Sequence, residues 1–210
     1  MVGNIDKGEF LGLTTHRIEA LTDGVFAIAM TLLVLSLNLP EITSQESFHD
    51  LLYGQVHVFL AYVLSFLLLA VFWIIHHYQF HRIERTDRVL LWINIIILMF
   101  VALMPFSTSI VGDYPSEPLA KAFFDMNLFI LGLLFYVNWR YASGQHRLID
   151  PNMPQEKIEL VGRKSLVIPI VSLVSFVLAF LITDYSSISY LLIPIILYLP
   201  YFRGSSPSVP

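Results

Sequence analysis

Long apolar segments constrain this chain more than any other feature. A helix needs about 20 mostly apolar residues to cross the hydrocarbon core of a bilayer. Six segments of the 210-residue sequence meet or approach that length: residues 17–39, 51–78, 89–111, 119–142, 165–183 and 188–202. Only 13% of the residues are charged, against roughly 25% in soluble domains. We therefore predict an all-α integral membrane protein with six transmembrane helices per chain. The sixth span is short and contains Pro194 and Pro200.

The basic residues predict the orientation of these spans. When the six segments are threaded through a membrane, eleven of the twelve Lys and Arg side chains fall on one side, and Lys121 is the exception. Cytoplasmic loops carry an excess of Lys and Arg, so we expect both termini in the cytoplasm. The longest stretch between spans, residues 143–164, is too short for a folded soluble domain. We expect residues 1–203 to form one six-helix unit and residues 204–210 a disordered tail.

The residue types present exclude several kinds of chemistry. The chain has no cysteine, which excludes disulfides, cysteine-ligated metals and thiol catalysis. His77 and His81 have the i, i+4 spacing that can bind zinc. Membrane histidine-box enzymes use many clustered histidines, whereas this chain has seven in total. We therefore expect a structural hydrogen-bonding role for these histidines, with no metal site, no organic cofactor and no enzymatic activity.

Polar residues at membrane depth indicate contacts between helices, because ionisable groups inside a span usually face protein or water. At the cytoplasmic third we expect a network joining three spans, formed by Thr22, Asp23, Trp73, His77 and Asn94. Asp23 and Arg17 are six residues apart, about 240° around a helix, so they do not pair along one face. The alternative is that these charges reach the interface by snorkelling, although the Asp side chain is short.

One face of the first span is an aliphatic stripe. At about 100° per residue, Ile28, Leu32 and Leu35 lie within about 60° of one another, flanked by Thr31. Small residues, which allow close helix approach, are expected on the other side: Ala20, Gly24, Ala27 and Ala29. Such a stripe is more often a packing or lipid-facing surface than a pore lining. Apolar constrictions can nevertheless gate a channel by dewetting, and periodicity alone leaves both interpretations open.

Three segments resemble the signatures of the transmembrane protein 175 family, which comprises lysosomal potassium channels and their prokaryotic homologues. They are RIEALTDGVFAIAMTLLVL at residues 17–35, FWIIHHYQF at 72–80 and LMPFST at 103–108. The family motif Arg-x-x-x-Phe-Ser-Asp is matched at Arg17 and Asp23, while Leu21 replaces Phe and Thr22 replaces Ser. The following Ala-Ile-x-x-Thr-Leu-Leu matches at Ala27, Ile28, Thr31, Leu32 and Leu33.

The resemblance implies a potassium-permeable cation channel in the cell (plasma) membrane. Such a single six-helix unit would assemble as a homotetramer, surrounded by membrane lipids and without nucleic acid, with the first span lining a central pore for K⁺. By resemblance, Ile28, Leu32 and Leu35 form a hydrophobic constriction and Thr31 a selectivity layer. The residues expected to hold the first span in place are Arg17, Thr22, Asp23, Trp73, His77 and Asn94.

A proton leak channel or a proton-coupled transporter remains the alternative function. It would use Asp23 and the histidines of the second span, His57, His76 and His77. Transporters often contain broken helices in paired halves, and here only the sixth span looks interrupted. Flux that saturates and requires a proton gradient would favour the transporter.

Overall fold

The computed structural model describes residues 14–37, 53–182, 187, 189–193 and 196. Its secondary structure is helical, apart from one isolated bridge between Ile83 and Ile149. The helices are α1 (Thr15–Leu32), continued by a 3₁₀ turn (Leu33–Ser36), α2 (Val56–Phe80), α3 (Arg88–Asp113), α4 (Pro118–Ser143), a 3₁₀ turn (Gly144–His146), α5 (Gln155–Ser165) and α6 (Val167–Leu181).

Within these residues, five helical segments are long and apolar enough to cross a membrane: Thr15–Ser36, Val56–Phe80, Arg88–Asp113, Pro118–His146 and Gln155–Leu181. The predicted all-helical membrane architecture is confirmed by these five. The sixth predicted span, residues 188–202, lies largely outside the described residues, as do residues 1–13 and the 204–210 tail.

The fifth span begins earlier than predicted. The sequence places its start at Ser165, whereas the helix already begins at Gln155, and only a turn at Leu166 separates α5 from α6. Because Glu156 and Lys157 are charged, a search for apolar segments does not detect the start of this helix. Every third or fourth residue is nevertheless buried, including Ile158 and Val161, so α5 is an amphipathic helix packed against the bundle.

Local sequence explains how the central helices begin and continue. The Asp87 side chain accepts a hydrogen bond of 2.8 Å from the Leu90 N–H and so caps α3. Pro118 lies at the start of α4, where a backbone N–H has no partner within the helix, so the N–H that proline lacks is not needed. Inside α3, Ser107 and Thr108 donate their hydroxyls to the Met104 carbonyl, which satisfies these polar groups within an apolar span.

Helix α4 lies at the centre of the described bundle, packing against α3 and α6, while α3 also packs against α2 and α1. The contact between α4 and α6 is close at Gly132, where a Cβ atom would lie 2.6 Å from Pro169 Cδ. Between α2 and α4, the rings of Phe72 and Phe135 stack with centroids 5.3 Å apart. Helix α1 packs chiefly against α3 and α2, which leaves much of its circumference outside the core.

We call the end of the bundle that holds loops 81–87 and 144–154 the basic end, because Arg82, Arg85 and Arg147 lie in these loops. The Glu84 N–H donates to the Leu148 carbonyl at 2.8 Å and joins the two loops. The Trp139 indole donates to the Ile158 carbonyl at 2.9 Å, which ties α5 to α4. The basic end is therefore fixed by hydrogen bonds between loops and helices.

Candidate functional site

Helix α1 has one buried and one exposed face. The buried face continues into the 3₁₀ turn and consists of Ile18, Thr22, Phe26, Ala29 and Leu33. These positions recur every three or four residues, as expected for one side of a helix packed on neighbours. They place α1 against α2 and α3, with the remaining side facing away from the chain's own core.

The predicted aliphatic stripe lies on that exposed side. The exposed fractions are 60% for Ile28, 43% for Leu32 and 64% for Leu35. Thr31 lies beside them, and its hydroxyl donates to the carbonyls of Ala27 at 3.0 Å and Ile28 at 2.8 Å. A hydroxyl has one hydrogen and two lone pairs, so this arrangement leaves the Thr31 oxygen able to accept.

The expected close packing behind α1 is wrong for three of the four small residues. Ala29 is buried, but Ala20, Gly24 and Ala27 are exposed. A Cβ atom added at Gly24 would meet nothing within 4 Å. The reason is rotational, because Gly24 precedes Ile28 by four residues and so lies about 40° from it, on the same face. Phe26 and Leu33, both large, occupy the packed face instead.

A polar cluster joins α1 to α2 and α3 through Thr22, which is buried, and Asp23, which is exposed. The Trp73 indole N–H donates to Asp23 Oδ1 at 2.8 Å. The Asn94 amide donates to Thr22 Oγ1 at 3.2 Å, and Asn94 Oδ1 lies 3.0 Å from His76 Nε2. A carbonyl oxygen only accepts, so this hydrogen-bond arrangement assigns the proton to Nε2 of His76. The cluster thus connects Asp23 of α1 to α2 and Thr22 of α1 to α3.

His76, rather than His77, provides the histidine of this cluster, which corrects the expectation for His77. The side chain of His76 is 2% exposed and stacks on Phe80 with ring centroids 4.1 Å apart. His77 is exposed and stacks on Trp73 at 6.0 Å. Consecutive helical residues differ by about 100° in direction, so only one of two adjacent histidines can face the core.

Arg17 does not join the cluster either. Its side chain is exposed on the first turns of α1. Since Arg17 precedes Ile28 by eleven residues, it lies within about 20° of the aliphatic stripe and roughly 140° from Thr22. Arg17 therefore stands at the basic end of the exposed face of α1.

A second buried polar cluster, which was not predicted from the sequence, lies near the basic end. Gln79 Nε2 donates to the Phe135 carbonyl at 3.1 Å and to Ser165 Oγ at 3.2 Å, while Asn138 Nδ2 donates to Gln79 Oε1 at 3.0 Å. Gln79 and Asn138 are both fully buried. Amides inside apolar spans indicate such contacts, but Gln79 lies just beyond the predicted end of the second span and Asn138 lies near the end of the fourth.

Two polar residues that the sequence places inside the fourth span are buried on α4, towards the end opposite the basic end. The Tyr190 hydroxyl donates to Asp125 Oδ1, and Asn127 Nδ2 donates to Ser107 Oγ at 3.2 Å. Among the residues that the structure describes, no group of three or more His, Cys, Asp or Glu side chains could hold a metal ion. The described polar clusters are made of hydrogen bonds between helices.

The fold defines the class of this protein: a multi-pass membrane protein built from apolar helices, with polar clusters between them. Residues 17–105 match the family described as endosomal/lysosomal potassium channel TMEM175. A potassium channel of Streptomyces collinus is 34% identical over 141 residues, which cover 65% of this chain and 68% of that relative. The chain belongs to the TMEM175 family, which consists of ion channels rather than enzymes.

Other relatives cover more of the chain. A potassium channel of Chamaesiphon minutus is 31% identical over 80% of this chain and 85% of the relative. The crystal structure of a lysosomal potassium-selective channel TMEM175 homolog from that organism matches with a TM-score of 0.78 at 28% identity, covering 90% of this chain and 98% of that one. The endosomal/lysosomal proton channel TMEM175 of Danio rerio is 22% identical over 96% of this chain but only 39% of the relative.

Proposed function

We propose that this chain is a potassium-permeable cation channel in which four copies surround a central pore lined by α1. Each copy contributes six spans, the five described here and a sixth at residues 188–202. The basic end faces the cytoplasm, which accords with the excess of Arg and Lys in its loops. Relatives named as potassium channels at 34% and 31% identity support this function.

The observation that carries the proposal is the division of α1 into an anchored face and an exposed face. Thr22 and Asp23 are hydrogen-bonded to α3 and α2, whereas Ile28, Leu32 and Leu35 project away from the chain's own core. A pore-lining helix needs both properties, because it must be held firmly while presenting side chains to an axis. Four such helices side by side would stack three aliphatic rings.

These rings would form the constriction of the channel. Apolar rings lack oxygens that could replace an ion's hydration shell, so ions must pass largely hydrated and the constriction gates by dewetting. Thr31 supplies a polar layer beside the rings. Because its hydroxyl proton is donated to the backbone of α1, its oxygen would present lone pairs to a passing cation.

The polar cluster of Thr22, Asp23, Trp73 and Asn94 would hold α1 at the correct rotation, together with His76 in place of His77. Arg17 would lie at the cytoplasmic mouth of the pore, close to the direction of the aliphatic stripe. A rotation of α1 by one residue would turn the stripe away from the axis and present either Ala29, Leu33 and Ser36 or Ala27, Thr31 and Val34 in its place. The anchoring therefore determines which residues reach the axis.

Reversal potentials in a planar bilayer test the channel proposal most directly. The purified full chain is reconstituted with KCl on one side and NaCl on the other, and current is recorded against voltage. We expect an ohmic, non-saturating current whose reversal potential lies towards that of K⁺. A silent bilayer, or a current that saturates and follows the proton gradient, would contradict the proposal. The number of subunits is counted independently by chemical cross-linking, with a tetramer expected.

A proton leak or proton-coupled transport is the second candidate function, and it is favoured by the vertebrate relatives named as proton channels. In this candidate, Asp23 and the histidines of α2 would carry the proton. A pH-sensitive dye inside liposomes distinguishes the two. Acidification that persists without K⁺ or Na⁺ and is abolished by Asp23→Asn would support proton conduction through this cluster.

A further inference from the structure

An apolar cavity lies between α2 and α5 near the basic end, away from α1 and its exposed stripe. Its volume is about 300 Å³, and its apolar walls are Val71, Ile74 and Ile75 of α2 with Val161 of α5. These α2 residues belong to a membrane span. We call this space the α2–α5 cavity. The cavity is open to the surroundings of the bundle, and its α2 wall belongs to a membrane span, so a lipid acyl chain is the apolar group that can reach it.

The polar rim of the α2–α5 cavity faces the basic end. Tyr78 and Lys164 line the rim, and the Arg82 guanidinium lies 3.4 Å from the centroid of the Tyr78 ring. Arg82 Nη1 also donates to the Tyr78 carbonyl at 2.8 Å, which holds the guanidinium over the ring. The rim therefore has two cationic side chains and one aromatic side chain at the place where the apolar span ends.

The charge at this rim is not balanced by the helices that form the cavity. The sequences of α2 and α6 contain no Asp or Glu. On α5, Glu159 lies about 140° around the helix from Lys164, and Glu156 lies about 12 Å from it along the axis, so neither pairs with Lys164 along one face. Ser165, which also lines the cavity, donates to the Val161 carbonyl and accepts from Gln79. An anion from outside the chain would complement Lys164 and Arg82.

We propose that the α2–α5 cavity binds one anionic phospholipid, with an acyl chain against Val71, Ile75 and Val161 and its phosphate beside Lys164 and Arg82. Basic pockets between helices at the cytoplasmic side of membrane proteins have the charge that anionic headgroups require. Tyr78 has the amphipathic ring typical of the headgroup level. The proposed orientation of the basic end determines which leaflet supplies the lipid, namely the cytoplasmic one.

Native mass spectrometry of the purified full chain tests this site. The protein is titrated in detergent with palmitoyl-oleoyl phosphatidylglycerol or with phosphatidylcholine of the same acyl chains, and retained lipids are counted per chain. We expect wild type to retain one phosphatidylglycerol and to prefer it over phosphatidylcholine. Lys164→Gln lowers that preference about fivefold, the factor for one basic side chain at a membrane surface. No ion flux is measured, so failure of the channel proposal and failure of this one are separate results.

Two further variants test the location of the lipid. Lys157→Gln removes the same charge from an exposed position two turns earlier on α5, roughly 10 Å away, and should leave the preference unchanged. Ile75→Trp fills the apolar part of the cavity and should lower retention of both lipids. Equal retention of both lipids by wild type, equal effects of Lys157→Gln and Lys164→Gln, or unchanged retention by Ile75→Trp would each overturn the proposal.

Discussion

The indole N–H of Trp73 donates a hydrogen bond of 2.8 Å to the carboxylate of Asp23 and so joins α2 to α1 across fifty residues of sequence. The bond lies near the level where the exposed face of α1 begins, and we propose that it fixes the rotation of α1.

Replacing Trp73 by Phe should loosen α1. The substitution keeps an aromatic ring and removes the donor, so we expect a loss of about 1 kcal/mol in the free energy of unfolding, since Trp73 is 40% exposed. Thermal melting in detergent measures the change. Trp92→Phe is the matched control, because Trp92 is 59% exposed on α3. Equal melting temperatures for the two variants would contradict the anchoring role of Trp73.

The two adjacent histidines of α2 should differ in their importance for stability. His76→Phe leaves the buried Asn94 oxygen without its hydrogen-bond donor. We therefore expect the free energy of unfolding to fall by about 1–3 kcal/mol. His77→Phe changes an exposed ring and should stay within about 0.5 kcal/mol of wild type. Chemical denaturation followed by circular dichroism compares them. A larger loss for His77→Phe would show that the cluster is assigned to the wrong histidine.

Shortening the aliphatic stripe should widen the proposed constriction. Ile28→Ala or Leu35→Ala removes exposed methyl groups that do not pack in the core, so we expect higher single-channel current at nearly unchanged stability. Leu33→Ala is the control on the buried face, and it should destabilise the protein by about 2–5 kcal/mol. The measurement is single-channel recording. Currents no larger than those of wild type would show that Ile28 and Leu35 do not form the constriction.

Selectivity should depend on the Thr31 oxygen. Thr31→Val has nearly the same shape but lacks the oxygen, so we expect the reversal potential between K⁺ and Na⁺ to move towards zero. Thr31→Ser keeps the hydroxyl and should retain the wild-type preference. The measurement is the bi-ionic reversal potential of each variant. If Thr31→Val and Thr31→Ser gave the same reversal potential, the Thr31 oxygen would have no part in selecting the ion.

Close packing of α4 on α6 should make Gly132 intolerant of any side chain. A Cβ atom there would lie 2.6 Å from Pro169 Cδ, so Gly132→Ala should destabilise by about 1–3 kcal/mol through overpacking. Gly144→Ala is the control, because a Cβ atom at Gly144 meets nothing within 4 Å. Melting temperatures of the purified variants provide the comparison. Equal melting temperatures would contradict the close contact between α4 and α6 at Gly132.

Much of the architecture was predictable because transfer of apolar residues into a membrane is a local property. Five predicted spans appear as helices, and the aliphatic stripe of Ile28, Leu32 and Leu35 lies on one face as the helical period requires. The pairing of Asp23 with Trp73 and of Thr22 with Asn94 was also within reach. Polar groups at equal depth in neighbouring spans have few other partners.

The sequence by itself therefore determined five of the helical segments, the polar residues that they carry and the family that the chain resembles. Only the tertiary structure decided how each helix is rotated about its axis: that His76 faces inward and His77 outward, and that Gly24 shares the exposed face with Ile28. It also decided that Gln79 meets Asn138 across 59 residues. The physical reason is that the hydropathy of a span is a sum over its own residues. The rotation of a helix about its axis and the contacts of its side chains depend instead on the shapes of the helices packed beside it.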